Sequence, residues 1–449
     1  MNRLPLLHRA GRAAYLRRGT LAALLAFGLI TPADADTLAI TNGRLVIGDG
    51  SAPIDHGTVV LRDGRILTAG AQVTIPADAR RIDAGGKWVT PGLVAGFSRL
   101  GLVEIDAVDP ANDTAANGSP YGASQSIAPA INPKAEAIAV SRAAGVTRAI
   151  VAPEAGKGLF AGQGAIIDLG EDMDAVTQAD AFQFAEYGEM GADKAGGSRG
   201  AAWLDLRYAL EAAQAVGRGR APLNGDGRDT LVLRRDAEAL APVVRGEQPL
   251  LIHAERASDL RQLLALKRQF PSLRLVLVGA SEAWLVADRI AAAGVPVIAS
   301  ALNDLPDQFE RLAATQSNIG RMQRAGVEAS IGMIDDSDTR QAQQSAQYAG
   351  NLVALTRVPG ATGLDWAQAF RAISAGPAEA IGMGGEFGSL RSGRRADVVI
   401  WDGDPLELSS APVNLWIDGV EQSLVSRQTR LRDRYATPGE TGLPKAYQR

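Results

Sequence analysis

Val89-Thr90-Pro91-Gly92-Leu93-Val94-Ala95-Gly96-Phe97-Ser98-Arg99-Leu100-Gly101 marks the point where this chain changes character. Before it, residues 36–90 read as strands and turns. Thr58-Val59-Val60-Leu61 and Ile66 flank Asp63-Gly64, a strong hairpin signal. After it, from 91 to 384, short apolar runs alternate with helical patterns. Residues 147–152, 250–254, 273–278, 295–299 and 327–332 have the length and composition of buried strands. Residues 203–216, 257–269, 282–293 and 365–374 have helical spacing, with Ser281 as a cap for the third and Gly294 past its end. Such alternation predicts parallel βα units. Their number in one unbroken stretch predicts a closed (β/α)8 TIM barrel, with an open doubly wound sheet as the alternative.

The end of the chain returns to strands. Ala396-Asp397-Val398-Val399-Ile400-Trp401 is an apolar strand, and 413–420 reads as a hairpin around Asp418-Gly419. Strands on both sides of a barrel predict a small β-sandwich formed by both terminal segments, 36–90 and 385–432, around a barrel at 91–384. Residues 433–449 read as a loose tail, and 187–200 and 222–229 as long surface loops.

Residues 1–35 read as an export signal. Arg12, Arg17 and Arg18 precede an apolar run from Leu21 to Ile30, and Pro32-Ala33-Asp34-Ala35 offers a cleavage site. The run is too short to span a bilayer, and no other is long enough. A periplasmic or secreted protein is expected, exported through either the general or the twin-arginine route. The whole chain has a net charge of −4, and loss of the arginine-rich leader makes it more acidic. That balance is wrong for nucleic acid or an anionic membrane surface. With no cysteine there are no disulfides, thiolate ligands or cysteine nucleophile. The three histidines are His8, in the leader, His56, beside a turn glycine, and His253, in an apolar run. A histidine-rich metal centre is excluded by counting.

Three pieces, in this order and at these separations, resemble the amidohydrolase superfamily of imidazolonepropionase- and dihydroorotase-like type, in its exported form. They are Ile40-Thr41-Asn42-Gly43-Arg44-Leu45 with residues 57–66, then Pro91-Gly92-Leu93, then residues 388–405 around Ala396-Asp397-Val398-Val399. Gly145-Val146-Thr147 and the Gly-rich run 156–164 resemble the second barrel strand and its loop. The resemblance implies a barrel with a β-sandwich from both termini, and hydrolysis of non-peptide C–N bonds. In that chemistry one or two divalent metals lower the pKa of bound water.

The resemblance also implies where ligands would stand. Phe97 and Arg99 occupy the first-strand histidine pair, and Gly279 a later histidine. His253 matches a histidine after a middle strand, and Glu255 stands where a second one is frequent. Asp335 and Asp336 follow Gly332-Met333-Ile334, near the position of the family's catalytic aspartate. Asp335, Asp336 and Asp338 also suit an acidic loop capping the helix that follows, and Ser281 and Glu282 a helix start. His253 and Asp335 are the candidate catalytic residues, and Arg99, Glu255 and Asn303 the candidate substrate-binding residues; no metal ligand is assigned. Arg99 supplies permanent positive charge where a metal would sit and is expected to pair with Glu255, Asp335 or Asp336.

Two principal readings follow. In the first the protein is a degenerate amidohydrolase that lacks the binuclear centre and has no cofactor. It binds a small-molecule ligand, or supports a partner such as a second copy or an active paralogue. In the second it is an active hydrolase rebuilt around His253, Glu255 and Asp335, without metal or with one divalent metal such as zinc. A third reading is a pure binding protein for a small acidic ligand held by Arg99.

Overall fold

The computed structural model describes residues 37–105, 108–219, 232–335 and 340–436. The leader, the loop at 222–229, Asp336, Ser337 and Asp338, and the tail beyond 436 lie outside the described residues.

The strands are β1 (Thr37–Leu45), β2 (Ile54–Arg62), β3 (Arg65–Gly70), β4 (Arg80–Asp83), β5 (Trp88–Pro91), β6 (Leu93–Ser98), β7 (Val146–Val151) and β8 (Phe160–Asp168). They continue with β9 (Val176–Glu186), β10 (Leu250–Ala254), β11 (Leu275–Gly279), β12 (Val297–Ala299), β13 (Ala329–Ile331), β14 (Val398–Trp401), β15 (Pro412–Ile417) and β16 (Val420–Glu421). They form two eight-stranded sheets. One has the order β16-β15-β14-β5-β1-β2-β3 with β4 beside β1, so strands from both ends of the chain share it. β14 runs antiparallel to β5, Val398 opposite Pro91 and Trp401 opposite Trp88. Asp63 and Gly64 join β2 to β3 with positive φ at both residues, as the Asp-Gly pair demands.

The second sheet runs β13-β12-β11-β10-β9-β8-β7-β6. It nearly closes into a barrel. Met333 N–H donates to Phe97 O (3.0 Å), and the segment at 372–373 bridges the gap, taking Ile331 N–H at Ala372 O (2.9 Å) and Val94 N–H at Ile373 O (2.8 Å). Gly92 lets β6 start here, because a Cβ at that position would collide with the Thr147 side chain of β7.

Not every strand is parallel. β8 is antiparallel to both β7 and β9. The connections at 152–159 and 169–175 are too short for a helical crossover, which takes about a dozen residues or more. The Gly-rich run expected as a loop therefore ends inside β8. Ser281 does not cap the helix after it either: a 3-10 turn at Ala283–Val286 intervenes before Ala287–Ala293, although Gly294 does end that helix in the left-handed conformation. At the far end, the helix Arg427–Tyr435, with its capping box at Ser426 and Thr429, takes in the first residues of the expected tail.

Burial alternates along β10. Leu250, Ile252 and Ala254 pack with the residues of the surrounding helices, whereas Leu251 joins the inner cluster of Val94, Phe97, Ile150, Phe182 and Phe184. The inside of the barrel is thus a packed core. Below it, Arg148 of β7 is fully buried and grips Asp397 with two hydrogen bonds, Nε–Oδ2 2.7 Å and Nη2–Oδ1 2.9 Å. Its Nη2 also reaches Asp418 Oδ1 at 2.8 Å. This cluster ties the barrel to the sheet made by the chain ends.

Arg148→Met leaves the buried Asp397 without its partner and is expected to cost about 3–5 kcal/mol, read as a lower urea midpoint. Adding Asp397→Leu should recover only part of that loss, because one stranded charge goes with it while Asp168 and Asp418 have lost the same cation.

Candidate functional site

The C-terminal ends of the barrel strands surround a cavity of about 570 Å³. β6 delivers Phe97 and, one residue past its end, Arg99. β9 delivers Phe184 and Glu186, β10 delivers His253, and the segment after β13 delivers Ile334 and Asp335. Phe97 and Phe184 form the floor with ring centroids 5.2 Å apart. The irregular stretch between β12 and the helix Asn318–Arg324 adds Glu310 and Arg311.

Period-two geometry explains the central contact. Phe182, Phe184 and Glu186 alternate along β9, and Leu251 and His253 along β10, so Glu186 and His253 arrive side by side. His253 Nδ1 lies 2.7 Å from Glu186 Oε2, and its Nε2 lies 3.0 Å from Glu255 Oε1. A neutral imidazole has one N–H and would present a lone pair to one of these carboxylates. Burial alone pulls the His253 pKa down, but the charges and hydrogen bonds of Glu186 and Glu255 outweigh it and raise the pKa well above 6.5. Both the direction of that shift and the two flanking carboxylates favour the imidazolium, whose two N–H groups match the two acceptors.

Glu255 has no exposure at all. Besides His253, its Oε1 accepts from Arg311 Nη2 (2.8 Å), and its Oε2 accepts from the Ser281 backbone N–H (2.8 Å). Burial pushes its pKa up, yet His253, Arg311 and the Ser281 donor hold it down at about 2. Arg311 Nη1 continues to Asp335 Oδ1 at 3.1 Å, and Asp335 Oδ2 lies 3.4 Å from Ser300 Oγ. Charges therefore alternate along Glu186, His253, Glu255, Arg311 and Asp335.

The cation between Glu255 and Asp335 is Arg311, which corrects the expectation of Arg99 for these two acids; the third partner expected for Arg99, Asp336, lies outside the described residues. Arg99 Nε stands 3.0 Å from Glu154 Oε1. Asn303 is half-buried and donates to Ser281 Oγ (2.9 Å), so it steadies the turn that serves Glu255. Glu282 anchors two backbone N–H groups, of Ala257 and Ala313.

Gly279 explains why the pair fits. It has φ +83°, and a Cβ there would stand 2.6 Å from Glu255 Oε1 and 2.8 Å from His253 Nε2. The next residue, Ala280, also has positive φ (52°), uncommon for a residue with a side chain. Its N–H bonds Ala254 O at 2.9 Å, and the turn so held aims Ser281 N–H at Glu255. A histidine at 279, which the resemblance implies, would displace the ion pair.

Sequence reading missed Glu186, Glu154, Glu310 and Arg311. The alternation Phe182-x-Phe184-x-Glu186 carried a signal for the first. Arg311 carried none, because its stretch has no period.

The residues present fit a metal centre poorly. Phe97 and Gly279 offer no lone pair, Arg99 is a cation, and the donor atoms of His253 and Glu255 are engaged with one another and with Arg311. Among the described residues, no group of three or more His, Asp or Glu is disposed to hold a metal ion.

The family model "Amidohydrolase family" matches residues 272–427. Amidohydrolase tasK of Hapsidospora irregularis is 26% identical over 408 residues, which cover 83% of this chain and 40% of that protein. This chain thus spans well under half of that relative's length. An imidazolonepropionase of Bradyrhizobium diazoefficiens is 45% identical over 60 residues, 12% of this chain and 15% of that one. Among solved structures, an amidohydrolase from Thermotoga maritima superposes with a TM-score of 0.74 at 22% identity, over 86% of this chain and 99% of its own. That likeness is one of fold.

Gly279→Ala is expected to cost about 2–4 kcal/mol through backbone strain and overlap with Glu255, measured by chemical denaturation. The linked charges also set a pH window. Glu255, lowered from 4.5 to about 2, contributes stability that is complete above pH 4.5 and lost as pH falls through 2. His253, raised above 6.5, contributes stability that is complete below pH 6.5 and lost as pH rises through its folded pKa. The difference in stability between the parent and His253→Gln should be largest between pH 4.5 and 6.5 and shrink as pH rises beyond that. A difference independent of pH would contradict this assignment.

Proposed function

We propose that this chain, which belongs to the amidohydrolase superfamily, is a member without the family's metal centre, whose barrel mouth binds a small molecule. One observation carries the reading. Glu255 is sealed by His253, Arg311 and Ser281 N–H, in a space that only a glycine at 279 leaves open. Metal-dependent hydrolysis needs lone pairs converging on an open coordination position. The side chains at this mouth spend theirs on one another.

The chemistry that remains is recognition. Fixed charges beside an apolar floor, in a cavity of about 570 Å³, suit a small polar ligand. Export is part of the same proposal and is supported by the sequence of residues 1–35. Among the described residues no helix is long and apolar enough to cross a membrane.

Metal content of the natively purified protein, measured by inductively coupled plasma mass spectrometry, tests this. The expected result is substoichiometric zinc, manganese and iron, even after incubation with excess metal. Near-stoichiometric metal that disappears in His253→Ala would overturn the reading in favour of an active hydrolase built on His253, Glu255 and Asp335.

A further inference from the structure

Acid exceeds base at the barrel mouth. Five carboxylates line the cavity, those of Glu154, Glu186, Glu189, Glu310 and Asp335. Four cationic groups face them, Arg99, Lys194, Arg311 and His253 in its charged form. Glu255, behind the lining, already draws on His253 and Arg311. Arg199 reaches Glu310 from outside the lining, but it also pairs with Asp259. The charge left uncancelled is negative.

Two buried carboxylates present that charge to the cavity. Glu310 is 4% exposed, and its Oε2 accepts from Glu189 N–H (2.7 Å) and Arg199 Nη2 (3.1 Å). Its Oε1 accepts from no group among the described residues, yet keeps surface open to the cavity. Glu186 has the same arrangement: Oε2 faces His253 Nδ1, and Oε1 has no donor among the described residues and is not sealed off. The chain holds the two acids close. Gly188, two residues after Glu186, has φ +68°, and a Cβ there would stand 2.6 Å from Glu310 Oε2. Burial, with Glu189 and Glu255 nearby, outweighs the Glu189 N–H and His253 and pushes the Glu310 pKa up. A carboxylate held in this way is stabilised by an occupant that brings both donors and positive charge. Below, Phe97, Phe184 and Ile334 offer apolar surface, and aromatic faces also attract a cation.

We propose that the barrel mouth binds a small organic monocation, a primary ammonium with an apolar body, its N–H groups on Glu310 Oε1 and Glu186 Oε1 and its body on Phe97, Phe184 and Ile334. An ammonium carries three donors and no acceptor, which matches oxygens that lack donors. This rests on the metal-free reading above, because a metal at the mouth would itself supply the missing charge. Lys194 then acts against the ligand. It lines the cavity half-buried and has no carboxylate within ion-pair distance among the described residues, so its replacement leaves the fold intact.

The test is isothermal titration of the full chain at pH 7, after EDTA treatment and dialysis, with phenethylamine, 2-phenylethanol, phenylacetate and zinc as probes. Phenethylamine is expected to bind, with the alcohol weaker by about tenfold or more, as for loss of charge-assisted hydrogen bonds. Phenylacetate should not compete. In Glu310→Gln, which keeps the shape of the side chain, affinity for the amine should fall by about tenfold or more. In Lys194→Gln it should rise by about twofold or more, because a like charge is removed. Failure of the amine to bind, equal binding of amine and alcohol, phenylacetate binding as tightly as the amine, amine affinity unchanged in Glu310→Gln, or weakened in Lys194→Gln, would each overturn the inference alone. Zinc that binds stoichiometrically and displaces the amine would overturn the metal-free reading as well, because the missing charge would then be the metal's.

Discussion

A carboxylate with no exposure to water governs the mouth of this barrel. Burying an uncompensated charge costs far more than a fold of this kind can spare, so Glu255 dictates what stands around it. It needs a cation on each side, which His253 and Arg311 supply, and a backbone donor, which Ser281 supplies. It needs room, which Gly279 leaves by having no side chain. His253 in turn is favoured in its charged form by Glu186 at its other nitrogen together with Glu255. The glycine, the arginine and the second glutamate follow from one buried group.

A buried ion chain of this type adds little net stability over apolar packing of the same volume. What it adds is a fixed field. In the metal-dependent design, positive charge at the mouth comes from an ion whose coordination shell can open. On the metal-free reading proposed for this chain it comes from guanidinium and imidazolium groups held by hydrogen bonds, which do not exchange ligands and do not lower the pKa of water in the same way. The frame is kept nonetheless: β6 starts at a glycine pressed on Thr147, and Arg148 below binds the sheet of the chain ends through Asp397 and Asp418. Scaffold and site are separable, and the differences from the family pattern lie at the mouth.

The alternation of apolar runs and helical patterns made the barrel legible. Residues 250–254 match β10 residue for residue, and Asp63-Gly64 makes the turn its chemistry requires. The hairpin of β8 and β9 was not legible, because Gly-rich sequence reads as loop while its pairing partners are distant. Family spacing pointed to His253, Glu255 and Gly279, and the structure brings these three together. Their meaning was not legible, since an absent ligand and a glycine required by packing look identical in one sequence. Arg99 looked like the compensating cation because it stands in a recognisable segment. For Glu255 and Asp335 Arg311 fills that place, from an aperiodic stretch where only tertiary structure decides which side chain points inward.

The central claim is that His253 is an imidazolium locked between two carboxylates, and its ring nitrogens report this directly. Nitrogen-15 NMR of histidine-labelled protein, with His253 assigned by comparison with His253→Gln, follows both nitrogens through pH and zinc titration. The account predicts two protonated nitrogens at pH 7, still protonated well above the ordinary histidine range and unmoved by zinc. A neutral ring at pH 7, or a nitrogen whose shift moves to a metal-bound position on adding zinc, would contradict it.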